Sequence, residues 1–349
     1  MNSPVAHTLL TSDRPPLTDH PCVSVIVPAC NCAVYLEEAL QSVMDQGHEA
    51  IEILVIDDGS SDHTRQVAAR FDGPVRLLET ARASSGAGAS RNVGLREAKG
   101  ELIAYLDGDD VWLPGKLQAQ IRCLRNHPES AMVASNFIRW YPDDSGQWSS
   151  PNRHAAATQA QDSDALDPER SGWIYHRLLL DTMVWTGTVL MRRELADMVG
   201  EFREDLRLAQ DYDYWIRASR LTPILTLARP YALYRRHAES ATRRWAPVNY
   251  ALMVLESAIA RWGRVGPDGS AITPEELRHR RFRLHFAMGY NLFWNGQKAA
   301  AAPSFIGAWR ARPGHVRTAL YAILASGVRS GRFLLPGAGR SDSTTGASR

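Results

Sequence analysis

Continuous apolar stretches alternate along the first third of the chain with segments whose apolar residues recur every three or four positions. The continuous stretches, which predict strands buried on both faces, are VSVIVPA (residues 23–29), IEILVIDD (51–58), PVRLL (74–78) and ELIAYLD (101–107). The segments between them, residues 34–46, 64–71 and 89–98, predict helices. This alternation predicts an α/β fold with a mainly parallel sheet flanked by helices.

The pattern changes in the second half of the chain. Residues 131–140 and 182–193 predict further strands, and residues 224–237 predict a strand followed by an extended, positively charged segment. The polar stretch 142–170 lacks periodicity and predicts a mobile loop. From residue 246 onward the apolar spacing is entirely helical. The expected regions are a flexible leader (1–21), an α/β domain (22–245), a helical C-terminal region (246–339) and a disordered tail (340–349).

Composition narrows the class of protein. The 349 residues include 40 basic and 38 acidic side chains, a formal charge of +2, so no global field favours nucleic acid. Four Cys residues do not make a disulfide framework or a zinc site, which favours reduced thiols and a cytoplasmic location. The start of the chain lacks the features of a signal peptide, and no apolar run approaches the about 20 residues that span a bilayer.

The last apolar segment, TALYAILASGVRSGRFLLPG (residues 318–337), is interrupted by Arg. It fits either a terminal helix packed on the protein or a helix lying in a membrane interface. We expect the packed helix, and the C-terminal helices are the candidates for a peripheral contact with the inner face of the cytoplasmic membrane.

Three carboxylates, Asp107, Asp109 and Asp110, follow the fourth predicted strand in AYLDGDDVW. A turn or a helix cap uses one Asp, or two. Mg²⁺ and Mn²⁺ bind through one or two carboxylates plus substrate phosphates. The third carboxylate, with Asp57 and Asp58 at the end of another strand, favours a site for a metal ion and a diphosphate. Since ligands of open α/β sheets lie outside the carboxyl ends of the strands, we expect these residues at one rim.

The segment SSGAGASRNVGL (residues 84–95) resembles a phosphate-binding loop only in its glycine content. Its glycines do not follow the GxGxxG spacing, and the Lys of a P-loop is absent. Arg91 and Asn92 stand at the start of a predicted helix, where they either reach a diphosphate or cap the helix.

Four motifs occur in order between residues 23 and 237: VSVIVPACN, IEILVIDDGSSDHT, SRNVGLREAKGELIAYLDGDDVWLPGKL and AQDYDYWIR. Together they resemble the inverting family 2 glycosyltransferases of GT-A fold, a Rossmann-like nucleotide-diphospho-sugar transferase fold. The ordered set is far more specific than any single motif. The resemblance implies a mixed, mainly parallel sheet flanked by helices, followed here by a C-terminal helical extension.

By this resemblance, the residues that bind the nucleotide-sugar donor are Pro28, Asn31, Asp57, Asp58, Arg91, Asp107 and Gly108. Asp58, supported by Asp57, would contact the base, and Asp107 the ribose. Asp109, in the DXD motif, would bind the Mn²⁺ or Mg²⁺ ion that bridges the diphosphate. His237 matches a His that lies near the metal in some relatives, although a solvated surface His fits the sequence as well.

The resemblance places Asp211 in the position of the general base that deprotonates the acceptor hydroxyl. Without it, Asp211 or Asp213 in QDYDYWIR equally fits a helix cap. Trp185 and Thr186 are candidates for the acceptor pocket, because an aromatic face suits a sugar ring, but a buried core Trp fits the same pattern.

The chain departs from the family pattern at two positions. Cys30 replaces a Tyr that packs near the nucleobase in the family, which bears on the affinity for the nucleobase. Gln210 replaces the acidic residue that usually precedes the general base. ATRRW (residues 241–245) faintly resembles the RW signature of processive synthases without its Gln, so transfer of a single sugar is expected.

The expected function is a metal-dependent inverting transfer of one sugar, of hexosyltransferase type. The donor would be a UDP- or dTDP-sugar and the acceptor a hydroxyl of a saccharide or lipid-linked molecule, in bacterial surface polysaccharide assembly. A nucleotidyltransferase is the first alternative, but PACNCAVY lacks its Gly-rich basic loop. A non-catalytic interaction protein is the second, and the presence of Asp58, Asp107, Asp109 and Asp211 argues against it.

Overall fold

A computed structural model of the chain describes residues 14–158, 162–237, 246 and 248–330. Among these residues, eight strands form one sheet in the order β3-β2-β1-β4-β7-β6-β8-β5. The strands are β1 Val23–Ala29, β2 Ile51–Asp57, β3 Val75–Glu79, β4 Leu102–Tyr105, β5 Val111–Trp112, β6 Met132–Trp140, β7 Leu190–Arg192 and β8 Ile224–Arg235. The helices are α1 Ala33–Met44, α2 Thr64–Ala68, α3 Ala87–Glu97, α4 Lys116–Asn126, α5 Pro151–Thr158, α6 Tyr175–Leu180, α7 Arg193–Val199, α8 Gln210–Ala218, α9 Tyr250–Trp262, α10 Pro274–Trp294, α11 Lys298–Ala311 and α12 Val316–Ser330.

The first half of the sheet is parallel, as the apolar runs predict. β1 pairs with β2 and β4, and β2 pairs with β3, all in parallel register. Helix α3 packs directly on β1 and β2, and Gly94 permits this close approach. A Cβ at Gly94 would lie only 2.4 Å from the Ile26 side chain. The carboxyl ends of these strands therefore meet at one edge, where the candidate site lies.

The second half of the sheet is mixed, and one predicted strand is mostly absent from it. Of residues 182–193, only β7 pairs in the sheet, antiparallel to β4 and β6. Thr186–Thr188 forms a 3₁₀ turn instead. The Thr188 hydroxyl donates to the Trp185 carbonyl at 2.6 Å, and the Trp112 indole N–H donates to the Gly187 carbonyl at 2.8 Å. These bonds turn the backbone away from the ladder.

The polar stretch 142–170, predicted as a loop, contains ordered structure. It holds helix α5, and Leu166 forms an antiparallel bridge with Leu227 of β8. The Asn136 side-chain amide donates to the Ala228 carbonyl at 2.9 Å and to Asp167 at 3.3 Å. Within the stretch, the Asp143 carboxylate accepts from the Ser145 and Gln147 backbone N–H groups, both at 2.9 Å, and such local bonds order the chain without any apolar periodicity.

The chain divides into two compact units, one ending at Pro274 and the other beginning at Glu275. The sequence pattern placed the start of the helical region at residue 246 instead. Helix α9 belongs to the first unit, where the Tyr175 hydroxyl donates to the Gly263 carbonyl just beyond its end at 2.8 Å. In the second unit, α10, α11 and α12 enclose a small core. Its buried side chains are Leu292, Phe293, Ala301, Ala302, Phe305 and Ala325.

Some predicted segments lie outside the described residues. These are the first 13 residues of the predicted leader, the ATRRW segment at 241–245 and residues 331–349, which include the predicted tail. In the part of the chain that is described, no helix combines the length and the apolar character needed to cross a bilayer.

Candidate active site at the carboxyl edge of the sheet

The tips of three parallel strands are hydrogen-bonded to one another at this edge. The Asp58 backbone N–H donates to the Ala29 carbonyl at 2.9 Å, and the Gly108 N–H donates to the Pro28 carbonyl at 3.2 Å. The segments that follow β2 and β4 therefore flank the end of β1 on its two sides. Asp58 and Asp109 lie along one rim, as the strand pattern predicts.

Gly108 permits the close approach of β4 to β1. A Cβ at this position would lie 2.9 Å from the Cys32 sulfur and 3.1 Å from the Pro28 carbonyl oxygen. Any larger residue would displace one of these neighbours. Burial raises the pKa of the Cys32 thiol to about 12, so this thiol packs as a neutral group beneath the turn.

Asp58 is buried and anchors the loop that precedes α3. One carboxylate oxygen accepts from the Thr80 hydroxyl and the Ser85 N–H, both at 2.8 Å. The other oxygen accepts from the Gly86 N–H at 2.7 Å. An ionised carboxylate has about four acceptor positions, so about one remains for a donor group from a ligand.

Asn31 fixes the turn that follows β2. Its side-chain oxygen accepts from the Ser61 N–H at 2.8 Å, and its own backbone N–H donates to the Ser60 hydroxyl at 2.9 Å. Its backbone is left-handed, with φ of 51°, a conformation that Asn tolerates better than most residues. Asp57 is buried below this turn and accepts from the Ser60 N–H at 3.3 Å.

Asp107 pairs with Arg91 at the start of α3. The Arg91 Nη2 to Asp107 Oδ1 distance is 2.6 Å, and Arg91 is almost fully buried. Burial raises the pKa of Asp107, the Arg91 guanidinium opposes that rise, and the Asp109 and Asp211 carboxylates add to it. Within the described residues, Arg91 Nε and Nη1 have no hydrogen-bond partner. Both nitrogens are buried inside the protein, so the accessible part of this pair is the Asp107 carboxylate, whose side chain is 28% exposed.

Asp109 and His237 meet across the end of β8. The His237 Nε2 to Asp109 Oδ2 distance is 2.9 Å, and the His237 ring lies 4.7 Å from the Tyr35 ring. The Asp109 side chain is 29% exposed and the His237 side chain 12% exposed, so solvent reaches the pair. The Asp109 carboxylate suits Mn²⁺ or Mg²⁺, given further oxygen ligands from a substrate, and the His237 imidazole is a ligand type of transition metals.

Asp110 has a structural role. The sequence analysis used this third carboxylate as support for a metal and diphosphate site, and its contacts in the structure do not provide that support. It is 1% exposed and accepts from the Arg235 N–H at 2.9 Å and from the Trp185 indole N–H at 3.3 Å. Burial raises its pKa well above the ordinary Asp value, and repulsion from Asp109 and Asp107 adds to the rise. Asp110 joins the acidic turn to β8 and to the turn before β7.

Arg235 is a site residue that the sequence analysis missed. Its Nε donates to the Asp109 carbonyl at 2.7 Å, and its guanidinium pairs with Glu38. The guanidinium carbon lies 4.2 Å from the Trp140 ring centroid, 4.7 Å from that of Trp148 and 4.8 Å from that of Tyr35. Nothing in the run YRRH distinguishes this buried Arg from its neighbours.

Asp211 lies in the first turn of α8, near Asp107. Its carboxylate accepts from the Thr186 hydroxyl at 3.2 Å and from the Tyr212 N–H at 2.8 Å. Asp213 instead pairs with Arg217 at 2.8 Å, a structural contact within the helix. The two carboxylates of QDYDYWIR thus have separate partners.

Trp185 and Thr186 surround this carboxylate in different ways. The Trp185 ring stacks on Tyr234, with centroids 3.9 Å apart, and lies 5.5 Å from Phe137. Trp185 is half-buried and keeps part of its ring open, whereas Thr186 is buried and orients Asp211. An aromatic surface therefore lies close to a carboxylate that a ligand hydroxyl can reach.

The described residues contain no ready-made cluster of three His, Cys, Asp or Glu side chains that would hold a metal ion alone. Asp109 and His237 bring together two side chains of types that ligate metal ions. A cation here requires further oxygens, and a diphosphate provides them. The arrangement is suited to a metal that arrives with its substrate.

Known proteins resemble the chain in sequence. The model of the family described as glycosyl transferase family 2 matches residues 24–195. An uncharacterized glycosyltransferase of Rickettsia felis is 27% identical over 253 residues, which cover 72% of this chain but only 40% of that protein. The putative teichuronic acid biosynthesis glycosyltransferase TuaG of Bacillus subtilis is 29% identical over 203 residues, 56% of this chain and 71% of the relative.

Solved structures share the fold. S. aureus TarS 1–349 in complex with UDP-GlcNAc has a TM-score of 0.61 at 19% identity, covering 90% of this chain and 93% of that one. The mannosyltransferase PcManGT of Pyrobaculum calidifontis, in complex with GDP-Man and Mn²⁺, has a TM-score of 0.50 at 21% identity, covering 92% and 84%. The predicted fold, the GT-A type with helices after it, is confirmed.

Proposed function

The chain belongs to glycosyl transferase family 2, a family whose members include polysaccharide biosynthesis enzymes, and we propose that it transfers a single sugar with inversion. The donor is a nucleoside-diphosphate sugar, and the acceptor is a hydroxyl of a saccharide or a lipid-linked molecule. One observation carries the proposal: the strand tips that bear Asp58, Asp107 and Asp109 line one rim, and Asp211 lies near Asp107.

The leaving group requires a divalent cation, Mn²⁺ or Mg²⁺. Such an ion, when bound, takes up the negative charge that develops on the departing diphosphate. Asp109 and His237 would hold the ion, and Arg91, paired with Asp107, would lie beside the nucleotide and add positive charge there. Asp107, held by Arg91, would accept from a ribose hydroxyl.

Asp211 would act as the general base. A single in-line displacement inverts the configuration at the sugar carbon and needs one base within hydrogen-bond reach of the acceptor hydroxyl. Thr186 holds one carboxylate oxygen and the Tyr212 N–H holds the other, which fixes the direction of the free lone pairs. The half-buried face of Trp185 would support the acceptor sugar ring.

A pyrimidine nucleotide fits the remaining acceptor position of Asp58. Uracil and thymine each present a single N–H to a carboxylate, whereas guanine presents its N1–H and its amino group together, so one remaining acceptor position favours a UDP- or dTDP-sugar. TarS binds UDP-GlcNAc, and PcManGT binds GDP-Man with Mn²⁺. TuaG is named for teichuronic acid biosynthesis. We place the reaction in bacterial surface polysaccharide assembly at the cytoplasmic side of the membrane.

A thermal-shift panel of sugar nucleotides with Mn²⁺ tests the proposal. The wild-type protein should show a shift that needs both the nucleotide and the metal. Asp109→Asn should lose the metal-dependent part, and the control Asp72→Asn, at an exposed position outside the site, should keep it. A wild-type protein that responds to no sugar nucleotide, or an Asp109→Asn variant that responds as the wild type does, contradicts the assignment.

A further inference from the structure

Helix α12 of the second unit presents an uncovered apolar face. Val316, Leu320, Ile323 and Leu324 are 79%, 53%, 68% and 48% exposed. Positions 316, 320, 323 and 324 are spaced by four, seven and eight residues, so they share one side of the helix. Gly327, the next position on this side, is exposed as well. We call these five positions the α12 outer face.

The opposite side of the same helix is already packed. Thr318 and Ala325 are fully buried, and the Tyr321 ring stacks on Phe305 with centroids 5.1 Å apart. This confirms the packed helix that the sequence predicts. A surface helix ordinarily turns polar residues outward once its inner side is packed. α12 turns aliphatic residues outward, which indicates that something apolar covers them.

The second unit is also strongly basic. Between Glu275 and Ser330, nine Arg and Lys residues stand against two Glu, although the formal charge of the whole chain is only +2. Residues 298–330, which hold α11 and α12, contain no acidic residue. Arg310, Arg312 and Arg317 are exposed around the start of α12. Exposed positive charge therefore lies next to the α12 outer face in the sequence and at the start of the helix.

From this combination we propose that the α12 outer face docks on a bilayer surface that contains anionic phospholipid. Apolar residues on one side of a helix enter the headgroup boundary, while neighbouring Arg side chains meet anionic headgroups. No described helix can cross a bilayer, so the contact is peripheral. Exposed Trp294 and Trp309, in the same unit, are of the residue type enriched at that boundary.

Charge decides against the other occupants of the face. A second copy of the chain would bring the same excess of positive charge against itself. Residues 331–349 contain three Arg and one Asp, so they offer no complementary charge either. An anionic lipid surface is the partner that matches both the apolar stripe and the basic residues around it.

Co-sedimentation of the full chain with vesicles tests the proposal. We expect binding to vesicles of equal parts phosphatidylglycerol and phosphatidylcholine, weaker binding to phosphatidylcholine alone, and release by salt. Leu320→Glu combined with Ile323→Glu should weaken binding at least about tenfold. Val265→Glu, which places the same charge at an exposed apolar position of the first unit, should leave binding unchanged.

Two further variants separate docking from folding and from catalysis. Val316→Ser removes one exposed side chain at the start of α12 and should weaken binding about threefold. Arg310→Gln, Arg312→Gln and Arg317→Gln together should abolish the preference for phosphatidylglycerol. All variants should keep the wild-type circular dichroism spectrum and rate of donor hydrolysis, because the proposal is independent of the reaction.

The proposal is overturned if the Leu320→Glu, Ile323→Glu protein binds anionic vesicles as tightly as the wild type. It is also overturned if the wild type shows no preference for anionic vesicles. A third contrary result is a wild-type dimer in lipid-free solution that the same double variant dissociates, since a second copy would then cover the face.

Discussion

The two sides of the proposed active-site rim, which we call the donor side and the metal side after their proposed roles, are assembled from very different distances along the chain. On the donor side, the Asp58 and Asp107 side chains are held by partners within 28 positions in the sequence. On the metal side, Asp109 and Asp110 are held by Arg235 and His237 at the end of β8, at least 125 positions away. The donor side is therefore a local product of the first strands, whereas the metal side exists only after β8 joins the sheet.

This difference implies that the two sides respond to substitution independently. Changes at the end of β8 should alter metal affinity and leave nucleotide contacts largely intact. Changes at Asp211, which depends on neither set of partners, should alter the chemical step alone.

The largest expected effect is that of Asp211→Asn. An amide cannot take the proton of the acceptor hydroxyl, so kcat for transfer should fall at least about a thousandfold. The thermal shift with nucleotide and Mn²⁺ should remain. Asp213→Asn is the matched control in the same helix, and it should lower stability through the loss of the Arg217 pair without such a loss of kcat. An Asp211→Asn variant with near wild-type kcat would remove this residue from the mechanism.

Arg235→Met should follow in size, since it leaves Glu38 unpaired and removes the donor to the Asp109 carbonyl. Because the Glu38 side chain is 42% exposed, its carboxylate stays hydrated when it is unpaired, so the lost hydrogen bond and packing of Arg235 should lower the free energy of unfolding by about 1–2 kcal/mol. Urea unfolding measures this loss, and the Mn²⁺ concentration for half-maximal donor hydrolysis should rise with it. Arg235→Lys keeps the positive charge but loses the planar guanidinium with its several donors. Its free energy of unfolding should therefore lie between those of the wild type and Arg235→Met. Equal stability of the wild type and both variants would show that the contacts of Arg235 with Glu38 and with the surrounding aromatic rings contribute little to folding.

His237→Ala should have a smaller and more specific effect. Loss of the imidazole beside Asp109 should raise the Mn²⁺ requirement about tenfold, with unchanged stability, because His237 is partly exposed. The control is His127→Ala, a surface His paired with Glu129 outside the site. An unchanged Mn²⁺ requirement in His237→Ala would limit the metal side to Asp109.

The smallest expected effect concerns Lys116, the first residue of α4. It is fully buried, donates to the Gln120 side chain at 2.8 Å, and burial lowers its pKa well below 10.5. At pH values between the folded-state and the unfolded-state pKa of Lys116, the unfolded chain binds more protons than the folded one. The free energy of unfolding of the wild type should therefore increase as the pH rises through this range.

Lys116→Met should lack this gain, which is at most about 1.4 kcal/mol per pH unit. Denaturant unfolding between neutral pH and pH 10.5 measures it, with exposed Lys99→Met as the control that keeps the wild-type slope. Parallel curves for wild type and Lys116→Met would mean that the folded protein keeps this lysine protonated.

The donor side could be predicted from the sequence because its determinants are local. Buried apolar runs indicate parallel strands, and parallel strands place Asp58, Asp107 and Asp109 at one edge. The metal side could not be predicted in the same way. The Arg235–Glu38 pair joins residues 197 positions apart, and no spacing rule relates them.

The misassigned residues have the same explanation. Asp110 resembles Asp107 and Asp109 in type and position, and only the arrival of Arg235 and Trp185 makes it structural. Residues 182–189 have the composition of a strand, but side-chain bonds to the backbone turn them aside. Tertiary partners decide both cases, and a single sequence does not contain them locally.

Uptake of Mn²⁺, followed by electron paramagnetic resonance during a titration with UDP, tests the central claim most directly. The account predicts that the wild-type protein with UDP removes free Mn²⁺ from solution and that Asp109→Asn needs at least about tenfold more metal to do so. Equal uptake by the two proteins, or uptake by the wild type that does not depend on UDP, would contradict a metal site completed by the diphosphate.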